Sequence, residues 1–261
     1  MFNNEKIGVG ITTYNSESYF KTLFDSLKDD NIIDELVVVN GGEPYKEIYN
    51  CDWIQHYKNR FPSICRNDCI SFLLNKDCEH IFLIEDDMII KNIDIFKKYI
   101  EVSKITGLNY FSFVSMSSEA GSPGNRNPVL QVNYKDSHGV SFYQNMCNEF
   151  TYHHKSCFLK CGLYDGKMRD LFDADMVFRQ SIANPNVAPF WYFADITDSD
   201  NYIENNPVAV SRLQADRPDG SRADLIVDTM HYFTNKHGIV LNSINCKTKE
   251  EVIEFLKNIK P

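Results

Sequence analysis

Several features that would fix a protein's class at once are scarce or absent in this chain. No apolar run is long enough to span a membrane; stretches such as Leu36-Val37-Val38-Val39 and Ile81-Phe82-Leu83-Ile84 are strand-sized. The opening residues carry no basic segment leading into an apolar one, so no secretory leader is expected and a cytoplasmic location is. Positive charge is short: 27 Lys plus Arg stand against 36 Asp plus Glu, a net charge of −9. That argues against a sequence-independent nucleic-acid binder, which needs a basic face. There are 8 Cys but no Cys-x-x-Cys pair. Cys65/Cys69 and Cys157/Cys161 are spaced i, i+4, which stacks each pair on a helix face rather than in a zinc knuckle, so reduced, buried thiols are expected. Internal repeats and low-complexity linkers are also missing.

What is present is ordinary globular composition, 43% hydrophobic and 24% charged over 261 residues. That length buries enough surface to need no disulfide or metal staple, and one domain over 1–261 is expected. The first half alternates strand and helix signals. Buried strands are expected over 7–12, 35–39, 80–85 and 110–115, with a shorter one at 53–57. Helices are expected after Ser16 or Ser18, from Ile64 onward, and over 93–104. Such alternation means an α/β fold with a mostly parallel sheet covered on both faces. After a long polar loop at 117–128 come short strands at 129–134 and 140–143 and a helix over 155–161. A helix over 173–183, a strand at 191–196 and a helix over 224–236 follow. Thr248-Lys249-Glu250-Glu251 reads as a capping box that opens a final amphipathic helix to Asn258.

Glu85-Asp86-Asp87 directly follows the apolar strand 81–84. Ligands of open α/β sheets bind at the carboxyl ends of strands, and adjacent carboxylates repel one another. A hard divalent cation, Mg²⁺ or Mn²⁺, bridging to phosphates explains such a triplet; a solvated acidic turn is the bland alternative. If strand alternation persists, Glu85 and Asp87 face one side and Asp86 the other. Thr12-Thr13-Tyr14-Asn15 and Asn40-Gly41-Gly42 end the first two strands on the same sheet edge. Arg66, near a helix start, would reach phosphate oxygens there.

These segments together resemble the inverting family-two glycosyltransferases with a GT-A fold. Ile7-Gly8-Val9-Gly10-Ile11-Thr12-Thr13-Tyr14-Asn15 resembles their opening strand and Val37-Val38-Val39-Asn40-Gly41-Gly42 their second strand and turn. Cys65-Arg66-Asn67 resembles their Arg-Asn helix start, and Phe82-Leu83-Ile84-Glu85-Asp86-Asp87 their DxD strand. Gly162-Leu163-Tyr164-Asp165 with Asp173-Ala174-Asp175-Met176-Val177-Phe178-Arg179 resembles the segment bearing the catalytic base. The resemblance covers about residues 5–180. It implies a single GT-A domain, with 1–116 as the nucleotide-sugar half and 117–261 as the acceptor half. It implies transfer of a sugar from a nucleoside diphosphate sugar, UDP-linked, to a saccharide or glycolipid in surface polysaccharide synthesis, with Mn²⁺ or Mg²⁺ as cofactor. Thr12, Tyr14, Asn40, Arg66, Glu85 and Asp86 would bind the donor, Asp87 the metal, and Asp173 would be the base, supported by Asp175. His231 would add a metal ligand, ahead of His153 and His154, because a C-terminal element closes over the donor site in enzymes of this kind. Tyr143, Trp191, Tyr192 and the 117–128 loop would shape the acceptor side. Transient contact with a membrane surface is compatible with this reading.

Two positions depart from the pattern: Asn40 stands where the family has an Asp that holds the nucleobase, and Glu85 replaces the first Asp of the DxD strand. Rival readings remain. Gly8-x-Gly10 suggests a dinucleotide enzyme, but the third glycine position is Thr13 and the glycines lie inside the strand. A sugar nucleotidyltransferase would carry a Gly-rich, basic first loop. A non-catalytic glycan- or nucleotide-sugar-binding protein would keep the fold but has no need of both the acidic triplet and Asp173.

Overall fold

The computed structural model describes residues 1–27, 31–113, 127–134, 138–144, 148–190, 192–207, 221–241 and 248–259. Four strands run parallel: β1 (Ile7–Thr13), β2 (Glu35–Asn40), β3 (Asp52–Gln55) and β4 (His80–Glu85). β5 (Met88–Ile90) follows β4, and β6 is Tyr110–Ser112. β7 (Leu130–Asn133), β8 (Gly139–Tyr143) and β9 (Phe150–His154) come next, then β10 (Phe193–Ile196) and β11 (Ile203–Asn205). The central sheet has the order β3-β2-β1-β4-β9-β6, with β9 antiparallel to both neighbours. A three-stranded sheet β10-β8-β7 and the pair β11-β5 flank it. The helices are α1 (Glu17–Leu27), α2 (Phe61–Asn75), α3 (Ile95–Thr106), α4 (Ser156–Cys161), α5 (Phe172–Ala183), α6 (Ser221–His237) and α7 (Lys249–Asn258). No helix among the described residues is long and apolar enough to cross a membrane.

The mixed, mostly parallel α/β sheet agrees with the alternation in the sequence. Ile7, Val9, Ile11, Val38, Phe82 and Ile84 pack into one core layer with residues of α1 and α3. Val37, Val39, Ile81 and Leu83 face the other way, into a layer with α2, α5 and α6. Thr248 caps α7 in a complete capping box with Glu251. Three strands were not foreseen. β9, with the sequence Phe-Thr-Tyr-His-His, lies inside the sheet with its first four residues buried. Its histidines hide it: His153 is fully buried, and its ring nitrogens pair with Gln180 and Thr151. β5 and β11 are three residues each and are stabilised by pairing with each other across the chain.

The strand glycines have a packing purpose. A Cβ at Gly10 would lie 2.6 Å from Cys69 Cβ on α2, and one at Gly8 would lie 2.7 Å from Cys78 Sγ. The missing side chains let α2 approach β1, which in turn carries Arg66 to the carboxyl end of the sheet. Gly10→Ala is therefore expected to destabilise the fold by about 1–3 kcal/mol, read as a lower urea midpoint with an unchanged slope. The cysteines serve the same layer: Cys65, Cys69, Cys78 and Cys157 are buried free thiols, while Cys51 and Cys161 are half-buried.

Candidate active site

The alternation that builds the core continues past the end of β4. Glu85 points toward α2 and Asp86 toward the α1 side, where the end of β1 receives it. Asp86 Oδ2 accepts from the Thr13 hydroxyl and from the Tyr14 backbone N–H at 3.3 Å. Thr13 is in turn bonded to the Tyr45 hydroxyl, which accepts the Ser16 N–H at 3.1 Å. Burial pushes the Asp86 carboxyl up to about 7 against the lowering effect of the Thr13 and Tyr14 bonds. Tyr45, which the sequence did not single out, thus braces the turn that holds Asp86.

Arg66 is the centre of the other side. It is fully buried on α2, which no basic side chain tolerates without partners. Nη2 donates to Glu85 Oε1 at 2.7 Å and to the Asn148 carbonyl at 2.6 Å. Nη1 donates to Asp173 Oδ1 at 2.7 Å and to the Tyr164 hydroxyl at 3.3 Å. The rings of Tyr164 and Phe172 flank the guanidinium. The expected phosphate role of Arg66 does not hold: both terminal nitrogens are spent on protein groups, and the remaining Nε is itself buried. Its neighbour Asn67 fixes the same segment, exchanging two 2.8 Å bonds with the backbone of Tyr164. The Arg-Asn pair is a clamp between β4 and the segment leading into α5.

Asp173 sits in the first turn of α5, after Leu171 in a left-handed conformation with φ 48°. It does not cap the helix by a side-chain bond. Burial raises its carboxyl; the Arg66 charge lowers it and Glu85 raises it, with the balance at about 7. Asp175 turns the other way. It is fully buried and paired with Arg179 at 2.8 Å, Lys236 at 2.6 Å and His237 at 2.8 Å, so it ties α5 to α6 and takes no part in the site.

Other expected positions fall differently. Thr12 is buried beside Glu85 in the β1–β4 register, and Tyr14 is half-buried at the mouth. Asn40 is fully buried: it donates to the Glu43 carbonyl at 2.8 Å and Gln55 at 3.1 Å and accepts from Gly42 N–H at 2.8 Å. It shapes the loop after β2, and both of its amide N–H donors are spent within that loop and on β3. Asp87 is half-buried next to Asn206, whose N–H donates to its carbonyl at 2.7 Å. His231 is exposed on α6, and among the described residues no group of three or more His, Cys, Asp or Glu converges on a metal position. The described contacts do not bring His231 to Glu85, Asp86, Asp87 or Asp173; on that helix it is His237 that reaches a carboxylate, that of Asp175. Tyr143 and Tyr192, expected on the acceptor side, are 4% and 3% exposed and belong to the interior. Trp191 and most of the 117–128 loop lie outside the described residues.

The cluster at this sheet edge is Glu85, Asp86, Asp87 and Asp173, with Arg66 as the cation the described residues place among them. An arriving diphosphate would meet excess negative charge. An all-oxygen donor set with no thiolate or imidazole fits Mg²⁺ or Mn²⁺, which need only one or two carboxylates when phosphate supplies the rest.

No protein-family model and no curated protein matches the chain. Solved structures do. TarS from S. aureus is 16% identical with a TM-score of 0.50, over 75% of this chain and 38% of that one. This chain therefore spans well under half of the full TarS chain. TarS 1–349 is 15% identical with a TM-score of 0.54, over 94% of this chain and 77% of that one. The same fragment in complex with UDP-GlcNAc gives 15% and 0.53, over 96% and 71%. The chain has the fold of these GT-A-type glycosyltransferases.

Proposed function

We propose that the chain is a metal-dependent, inverting glycosyltransferase that moves a sugar from a nucleoside diphosphate sugar, UDP-linked, to a hydroxyl of a saccharide or glycolipid. The observation that supports this most is the Asp173 carboxylate held by Arg66 beside the acidic end of β4. TarS 1–349, which shares this fold, was solved in complex with UDP-GlcNAc, and that supports a UDP-linked donor. Asp173 takes the proton of the acceptor hydroxyl as its oxygen bonds to the anomeric carbon; the bond from that carbon to the diphosphate breaks and its electron pair leaves with the diphosphate. Inversion needs one such carboxylate, and the burial of Asp175 in its own ion pairs leaves α5 with one. Arg66 and the Tyr164 hydroxyl fix the Asp173 carboxylate, and Glu85 offers its carboxylate to a donor hydroxyl. Asp87 would hold Mn²⁺ or Mg²⁺, which supplies charge to offset that developing on the departing diphosphate.

A thermal-shift panel of nucleoside diphosphates and their sugars, with and without Mn²⁺, checks this reading. At a hundredfold excess over Kd, one donor should raise the melting midpoint by about 5–10 °C with metal present. If no nucleotide or nucleotide sugar moves the midpoint under either condition, the donor site is not there.

A further inference from the structure

Arg66 divides one positive charge between two carboxylates of different accessibility. The Glu85 side chain is 34% exposed, that of Asp173 is 13%, and the guanidinium between them is 1%. The donor side of the cluster is therefore open to a ligand, while the base side is enclosed. Glutamate at position 85 makes this possible, because its extra methylene lets a carboxylate at the strand end reach back to α2. In a buried site the share of charge matters: whatever draws Glu85 away from Arg66 leaves more of that charge for Asp173.

We propose that Arg66 is a positioning residue that couples donor binding to ionisation of the base: a donor hydroxyl that hydrogen-bonds Glu85 frees Arg66 for Asp173, which then releases its proton to solvent. The inference rests on the reading of Asp173 as base and of Glu85 as a donor contact. In the empty site burial and Glu85 raise the Asp173 carboxyl against the pull of Arg66, to about 7, so the group is part-protonated near neutrality. The groups that face it are Arg66 from α2, Glu85 from β4, Tyr110 from β6, and Tyr164 and Asp170 from the segment before α5. Of these, Glu85 combines solvent access with a bond to Arg66, so it is where a ligand can act. The base would be armed when donor is seated and idle otherwise, which limits turnover in an empty or half-filled site.

The coupling is read without any turnover. Protein labelled with ¹³C at aspartate carboxyls is titrated by NMR, with the Asp173 signal assigned by its loss in Asp173→Asn. In Glu85→Gln the Asp173 midpoint should fall by about one pH unit, a tenfold loss of proton affinity, because Arg66 no longer shares its charge. UDP with Mg²⁺ should lower the midpoint in the parent and leave it unmoved in Glu85→Gln. An unchanged or raised midpoint in ligand-free Glu85→Gln overturns the coupling. A lowered midpoint there, together with no UDP binding by the parent, supports the Arg66 sharing and counts against the donor assignment instead.

Discussion

Asp173→Asn is expected to bind its nucleotide sugar within a few-fold of the parent while kcat falls by roughly 10²–10⁴. The asymmetry follows from where the group works. An acceptor hydroxyl gains nucleophilicity only as its proton departs, so loss of the base is felt in the transition state and hardly in the ground-state complex. Asparagine keeps an oxygen for Arg66 and for the Tyr164 hydroxyl, so the clamp should stay closed. The parent should also show an acid limb: with the Asp173 carboxyl of the empty enzyme held up to about 7, kcat/KM for the donor rises with pH to a plateau above that value. Below it, the rate should fall about tenfold per pH unit as the base takes up its proton. Steady-state kinetics from pH 5.5 to 9 on the two proteins make the measurement. Near-parental turnover by Asp173→Asn, or a parental profile of kcat/KM for the donor that is flat through 7, would remove Asp173 from the reaction.

Asp87→Ala should lose the metal-dependent part of donor binding. Nucleotide affinity in the presence of Mn²⁺ is expected to drop by about 10²–10³-fold, toward the value the parent shows in EDTA. The fold should tolerate the change, because the main-chain tie of Asp87 to Asn206 passes through its carbonyl and survives in alanine. Isothermal titration of UDP into both proteins, with Mn²⁺ and with chelator, separates the terms. Equal metal dependence in parent and variant would exclude Asp87 as the ligand and move attention to Glu85 and Asp86.

Position 40 shows how far a pattern extends. The apolar run Val37-Val38-Val39 places a strand and its turn, and both are where expected. Nothing in that run says that the Asn40 amide will meet Gln55, the Glu43 carbonyl and the Gly42 N–H. Arg66 is the same lesson with a larger consequence. A helix-start arginine beside a phosphate-binding edge looks like an anion contact, yet burial forces it to satisfy its donors within the protein. His231 and His237 lie on one helix, and only packing against α5 decides which of them meets a carboxylate.

The sequence by itself determined the four parallel strands, the faces they present and the edge where chemistry gathers. Period-two alternation with buried runs has one low-energy arrangement, and it carries through Glu85 and Asp86 so that their opposite directions were legible. Turn and cap chemistry fixed Gly41-Gly42 and Thr248 in the same way, because the partners lie within a few residues. Only the tertiary structure decided that Arg66 and Asp173, 107 residues apart, share a bond, and that Glu85 competes for the same guanidinium. Charge and burial at that point depend on four segments brought together by packing. A buried cation takes whichever carboxylates the fold presents, so its role is set by neighbours that local sequence cannot name.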